Sequence, residues 1–296
     1  MNITKALNLA CPIDGKHLEQ ADQQYVCENG HTFDIARQGY VNLLPVQHKR
    51  SKQPGDSKAM VLARTHFLDT GIYQPIANKL TEIVSTFIIN DKDTCFLDAG
   101  CGEGYYFDAL FNRLKESNGS NNLSFIGLDI SKEAIVQATK RNRLITWVVG
   151  TNRQPPVEQE SVDIIICLFG FLSVDGFYKV LKPGGIIILV DPGADHLNEL
   201  RKIIYPEVNK TDRSDPSQME LDGFSSIKTE TLHFKTTVTD NEQVNHLLLM
   251  TPHFYRASKE GRTAASKLDE LDITVDVIFR IFEKNVKTSS CDKALM

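Results

Sequence analysis

Apolar residues recur at helical spacing at Tyr73, Ile76, Leu80, Ile83, Val84, Phe87 and Ile88. That i, i+3, i+4, i+7 rhythm lays one face of a helix on a core. Beyond it the rhythm shortens. Residues 94–97 read as a strand, 98–104 as a glycine-rich turn, about 105–116 as a helix, and 124–128 as a strand ending in Asp129. Ser131 is the expected N-cap of a helix to about 141; with Ala134 three residues on, it caps without the reciprocal bond of a capping box. A strand follows at 145–149. Residues 164–168, IIICL, form a continuous apolar run, as a parallel strand covered on both faces requires. A helix to Leu181 ends where Pro183 and Gly184 stop it, and 186–190 is another buried strand. This alternation predicts an α/β fold: a Rossmann-like, doubly wound, mostly parallel sheet. Near the end, Ile273, Val275, Val277 and Phe279 alternate with Thr274, Asp276, Ile278 and Arg280. That period of two predicts a half-exposed edge strand.

Composition divides the chain. Residues 1–45 are turn-rich and carry Cys and His, 46–70 are polar and basic, 71–284 hold the α/β pattern, and 285–296 read as a loose tail. The 296 residues are 41% hydrophobic and 24% charged, a globular balance that argues against wholesale disorder. No apolar run reaches the roughly 18–20 residues of a membrane helix, so no membrane partner is expected. The N-terminal stretch lacks a signal-peptide pattern, and the six cysteines are scattered over the chain; both point to a reducing, cytoplasmic setting. A net charge of −5 excludes a globally basic nucleic-acid binder but not a local patch. Lys49, Arg50, Lys52, Lys58 and Arg64 stand against the single acid Asp56 and form a candidate phosphate contact, or else a solvated loop.

The turn at 98–104 is DAGCGEG, with glycines at 100, 102 and 104. A dinucleotide site wants G-x-G-x-x-G, with the pyrophosphate on a helix N-terminus. Here the third glycine comes one residue early and Tyr105 follows. Asp98 would repel a pyrophosphate but suits the ammonium of an amino acid. The combination therefore favours S-adenosylmethionine (SAM), with Asp98, Gly100, Gly102 and Gly104 around it. One βα unit later, Asp129 stands where a carboxylate accepts from ribose hydroxyls. After the third strand, the Asn152 amide is placed to read an adenine edge. Taken singly, Asp98 also fits a turn residue, Asp129 a helix cap and Asn152 a plain loop position.

The segments QGYVNLLPVQHKRSKQPGDS (38–57), GIYQP (71–75), LDAGCGEGYY (97–106) and GLDISKEAI (127–135), with LKPGG at 181–185, closely resemble the RlmA (RrmA) family. Its members are class I SAM-dependent methyltransferases acting on guanine N1 of 23S rRNA. The resemblance covers almost the whole chain. It implies a hairpin substrate in the helix 35 region near the peptide exit tunnel, and further cofactor contacts at Tyr73, Glu103 and His196. It also implies a Zn2+ module at Cys11, Asp14, Cys27 and His31, in which Asp14 replaces the usual second cysteine and His17 is a rival fourth ligand. A homodimer is a further possibility it raises. Residues 166–173, ICLFGFLS, depart from the family's more polar stretch. Phe169 and Phe171 there either stack on the target base or pack in the core. No side chain in the segment is an obvious base for the N1 proton; Asp175 and Asp191 qualify only by standing near strand ends. Two other readings remain open: a SAM methyltransferase with a different RNA or small-molecule acceptor, and a SAM- and RNA-binding protein without turnover.

Overall fold

The computed structural model describes residues 1–48, 54–89, 91–117, 119–205 and 219–286. Five short strands come first: β1 (Asn2–Thr4), β2 (Leu18–Ala21), β3 (Gln24–Cys27), β4 (Thr32–Asp34) and β5 (Tyr40–Asn42). Strands β2, β3 and β4 pair antiparallel in a small sheet of their own, whereas β1 lies parallel to a later strand of the main sheet and β5 to another. Residues 1–45 therefore contribute to both sheets. Their apolar side chains Leu9, Leu18, Tyr25 and Val41 share a core with Leu97, Ile126 and Val148 on one face of the main sheet.

Helices α1 (Lys58–Asp69) and α2 (Gln74–Ser85) follow. In α2 the helical rhythm holds, burying Ile76, Ala77, Leu80, Ile83 and Val84, with a proline in its first turn where the missing N–H costs nothing. Then come β6 (Thr94–Ala99), α3 (Tyr105–Glu116), β7 (Asn122–Asp129), α4 (Lys132–Arg141) and β8 (Thr146–Val149). Ser131 caps α4 as expected, its Oγ accepting from the Ala134 amide at 3.3 Å. Next are β9 (Val162–Leu168), α5 (Val174–Val180), β10 (Leu181–Pro192) and α6 (Asn198–Ile204). The continuous apolar run of β9 is buried on both faces: Ile164, Ile166 and Leu168 enter one core, Ile165 and Cys167 the other. Pro183 and Gly184 do not separate helix from strand by a loop. β10 begins at Leu181, and its pairing with β9 slips between Leu181 and Ile186, where proline cannot donate to the ladder.

The chain closes with β11 (Phe224–Val238), α7 (Asn241–Met250), α8 (His253–Arg256), α9 (Lys259–Ala265) and β12 (Leu271–Lys284). The nine-stranded sheet runs β11-β12-β10-β9-β6-β7-β8-β5, with β1 beside β7. All pairings are parallel except those of β12. The edge position predicted for residues 273–280 is corrected here. β12 is interior, flanked by β10 and β11, and β11 is the edge. The polar residues that suggested exposure have protein partners instead of water: Thr274 bonds Glu199, and Arg280 pairs with Asp191. Among the described residues no helix is long and apolar enough to cross a membrane.

Candidate active site

Strand order reverses at β6, with β7 and β8 to one side and β9 and β10 to the other. In an open parallel sheet the crevice beyond such a reversal is where ligands bind. A cavity of about 1110 Å³ lies there, walled also by α1 and the end of α7. Tyr73, Asp98, Gly100, Gly102, Glu103, Asp129, Asn152, Phe169 and His196 all line it. Gly104 sits behind them as the N-cap of α3, at φ 84°. A β-carbon there would stand 2.8 Å from the Trp147 ring, so the turn needs glycine for both space and handedness.

The turn is tied to the neighbouring strand. The amides of Gly100 and Cys101 donate to the Leu128 carbonyl. Asp129 accepts from the amides of Gly102 (2.9 Å) and Ser131 (2.7 Å). Asp98 differs. Among the described residues, its Oδ1 is the buried side-chain polar atom left without a hydrogen-bond partner. Burial first, then the charges of Asp129 and Glu103, push its carboxyl well above the usual carboxylate range. A buried acid facing other acids is a site that lacks a cation. Glu103 is buried too, and is also pushed up by burial, but Arg141 and Arg64 offset part of that. Arg141 reaches its carboxylate at 3.3 Å and the Asp69 carboxylate at 2.8 Å.

Arg64, grouped by sequence with the basic RNA-contact segment, belongs instead to this cleft. It pairs with Asp56 and donates to the Met250 carbonyl, joining α1 to the end of α7. Burial works against its charge, yet Asp56, Glu103 and Asp129 together hold the guanidinium protonated. Lys49, Arg50 and Lys52 lie outside the described residues.

At the opposite wall, the Tyr73 hydroxyl stands 3.4 Å from Nε2 of His196, and the Asp276 amide donates to its Nδ1 at 3.3 Å. Burial lowers the imidazole to about 4. The ring is therefore neutral at pH 7 with its proton on Nε2, donating to Tyr73. Phe169 stacks on His196, ring centroids 6.1 Å apart, and is 42% exposed at φ 50°. An aromatic residue rarely holds that conformation away from a functional turn. Asn152 clips this turn to the glycine loop: its amide donates to the carbonyls of Ala99 (3.1 Å) and Phe171 (2.9 Å). Those donors are thus committed to backbone. Phe171 is 55% exposed beneath the Arg153 guanidinium.

The N-terminal module gathers Cys11, Asp14, Cys27 and His31, with their ligand atoms all within 4.8 Å of one another. Nδ1 of His31 is 3.5 Å from Cys11 Sγ, 3.4 Å from Cys27 Sγ and 3.1 Å from Asp14 Oδ2. Zinc bonds of ~2.0–2.3 Å in a tetrahedron imply ligand separations of roughly 3.3–3.8 Å; the two sulfur distances fall in that range and the carboxylate stands slightly inside it, so two thiolates, an imidazole and a carboxylate form a donor set that suits that ion. Asn29 and the Lys16 amide hold the Asp14 carboxyl well below the usual carboxylate range, presenting it ionised. His17, the rival ligand, pairs with Glu158 instead.

Sequence reasoning gave Arg141 no role and counted Asp56 only as the lone acid of the basic segment. Arg141 stands 38 positions beyond Glu103, where no local pattern marks it, whereas Asp56 is eight residues before its partner Arg64.

Two family models match the chain: the N-terminal zinc ribbon of RlmA over residues 9–52 and a methyltransferase domain over 96–185. A Bacillus subtilis protein, YxjB, assigned as a 23S rRNA (guanine-N(1)-)-methyltransferase, is 28% identical over 90% of this chain and 94% of its own. The Streptomyces fradiae 23S rRNA (guanine(748)-N(1))-methyltransferase is 32% identical, covering 65% of this chain and 66% of its own. A Micromonospora griseorubida protein assigned to guanine-N1 methylation of 23S rRNA is also 32% identical, covering 65% and 68%.

Proposed function

Because the chain belongs to the RlmA-type 23S rRNA guanine-N1 methyltransferases, we propose that it methylates N1 of a guanine in a 23S rRNA hairpin, in the helix 35 region. The observation that carries this reading is the unpartnered Asp98 oxygen in a cavity lined on one side by acids and on the other by an exposed aromatic turn. Asp98 takes the ammonium of SAM, which satisfies its orphaned atom. Asp129 accepts from the ribose hydroxyls, and Asn152 meets the adenine. Gly100, Gly102 and Gly104 let the backbone approach, Glu103 braces the loop through Arg141, and Tyr73 and His196 close the methionine end. Bound SAM supplies an electrophilic methyl on a sulfonium, so the protein's task is chiefly to place the acceptor in line.

The cavity, about 1110 Å³, exceeds the ~300–1,000 Å³ of an ordinary ligand pocket. That leaves room for an extruded base beside the methyl donor. Phe169 stacks on that base, as RNA-modifying sites commonly use aromatics. Lys49, Arg50 and Lys52 in the 46–70 linker neutralise RNA phosphates, the 71–284 domain carries the chemistry, and the 1–45 module holds Zn2+ through Cys11, Asp14, Cys27 and His31. The enzyme works in the cytoplasm, as a homodimer. The test is tritium transfer from labelled SAM to rRNA lacking its native methylation, followed by nucleoside mapping. Label in 1-methylguanosine supports the reading. Label in another nucleoside, or SAM binding without transfer, refutes it.

A further inference from the structure

A guanine N1 carries a proton at neutral pH, and that proton must go somewhere as N1 attacks. Guanine presents N1–H and the 2-amino group as adjacent donors on one edge. A carboxylate, with acceptor sites only, is the matching partner. Among the described residues lining the cavity, most candidates are otherwise committed. Asp98, Glu103 and Asp129 form the acidic side, and Asp56 pairs with Arg64. His196 accepts the Asp276 amide, and His253 bonds Tyr205 through Nδ1. Asp175 does not line the cavity at all.

Asp191 remains. It lies at the tip of β10 with its side chain 42% exposed, and its Oδ2 is held at 2.6 Å by the largely buried Arg280 of β12. The Phe169 amide donates to the carbonyl of Val190, one residue before Asp191. The acceptor turn and Asp191 are therefore side by side. β9 lies between β6, which carries Asp98, and β10, which carries Asp191, so the two acids flank the same strand tip.

Resting on the guanine-N1 reading above, we propose that Asp191, oriented by Arg280, reads the N1–H and 2-amino edge of the target guanine and receives the N1 proton. In that step a bond forms between N1 and the methyl carbon while the methyl–sulfur bond breaks. The N1–H electron pair stays with the ring, the proton passes to Asp191, and the sulfonium leaves as a neutral thioether. Asp191 then returns the proton to water. Asp191 is thus a catalytic residue, and Arg280 a positioning one.

The experiment uses the full-length protein and two hairpin transcripts, carrying guanine or inosine at the target. Inosine keeps N1–H but lacks the 2-amino group. Wild type should favour guanine by roughly ten- to a hundred-fold in kcat/KM, the scale of one hydrogen bond to a charged group. Asp191→Asn should retain S-adenosylhomocysteine affinity, lose ~10²-fold or more in kcat on both RNAs, and discriminate less between them. Its residual rate should rise about tenfold per pH unit between 7 and 9, because guanine already ionised at N1 needs no acceptor. An Asp191→Asn enzyme with wild-type kcat and base preference overturns the proposal and leaves the guanine-N1 reading standing. Should the variant fail to fold, equal use of guanine and inosine by wild type overturns the edge reading alone. No transfer by wild type to either RNA removes both.

Discussion

Replacing Asp98 by Asn should move two measurements in opposite directions. In the ligand-free protein the Asp98 carboxylate is 3% exposed with one oxygen unpartnered. Burial, then Asp129 and Glu103, raise its folded-state value well above the usual range. A raised acid binds its proton more tightly folded than unfolded. Stability therefore falls as pH climbs from the ordinary carboxylate range towards the raised value. Asparagine has the same shape and no charge to desolvate. Removing a buried charge that has no partner is worth ~1–3 kcal/mol, or about 2–5 °C in Tm for a chain of this size. The gain should be present at pH 7 and vanish near pH 4, where wild-type Asp98 is protonated too. Binding should suffer instead. Losing the charged partner of an ammonium weakens S-adenosylhomocysteine by ~10- to 100-fold, whereas 5′-methylthioadenosine, which lacks the amino-acid end, should bind both proteins alike. Thermal melts across pH with calorimetric titration of both ligands make the comparison. Unchanged S-adenosylhomocysteine affinity, or equal weakening of both ligands, would refute the assignment of the ammonium to Asp98.

Three further outcomes can be checked. Elemental analysis should find about one zinc per chain, and Asp14→Cys, by adding a soft thiolate, should tighten it in competition with a chromophoric chelator; equal zinc affinity in the two proteins would count against the site. Gly104→Ala, which puts a β-carbon 2.8 Å from Trp147 at φ 84°, should cost about 2–4 kcal/mol in urea unfolding, and a near-neutral result would mean the turn is not packed as described. The His196 value of about 4, against 6.5 for a free imidazole and caused first by burial, means the unfolded chain takes up the proton first as pH falls. Stability is fully present above pH 6.5 and should drop by roughly 3 kcal/mol on the way to pH 4; His196→Gln should flatten that slope, and an unaltered slope would contradict the buried neutral ring.

Much of the fold and part of the site were legible along the chain, because they depend on neighbours a few residues apart. The helix expected at 105–116 is α3, Tyr105–Glu116; the Ser131 cap and the twice-buried β9 run follow from hydrogen-bonding geometry and apolar spacing alone. The positions of Asp98, Asp129 and Asn152 at successive strand ends were likewise readable. Their surroundings were not. Alternation at 273–280 identified a strand but not its place, since the partner that makes it interior, β11, is itself polar-rich and half exposed.

Tertiary structure also decided what each charge is for. Arg64 looks like one more cation in a basic segment, yet the packing of α1 on α7 buries it beside Asp56. Asp191 looks like any acid after a strand until β12 brings Arg280 behind it. A sequence determines which groups can ionise, which turns can form and which faces are apolar. Desolvation and Coulomb energy depend instead on depth and on separations of a few ångströms, and both are set only when distant segments meet.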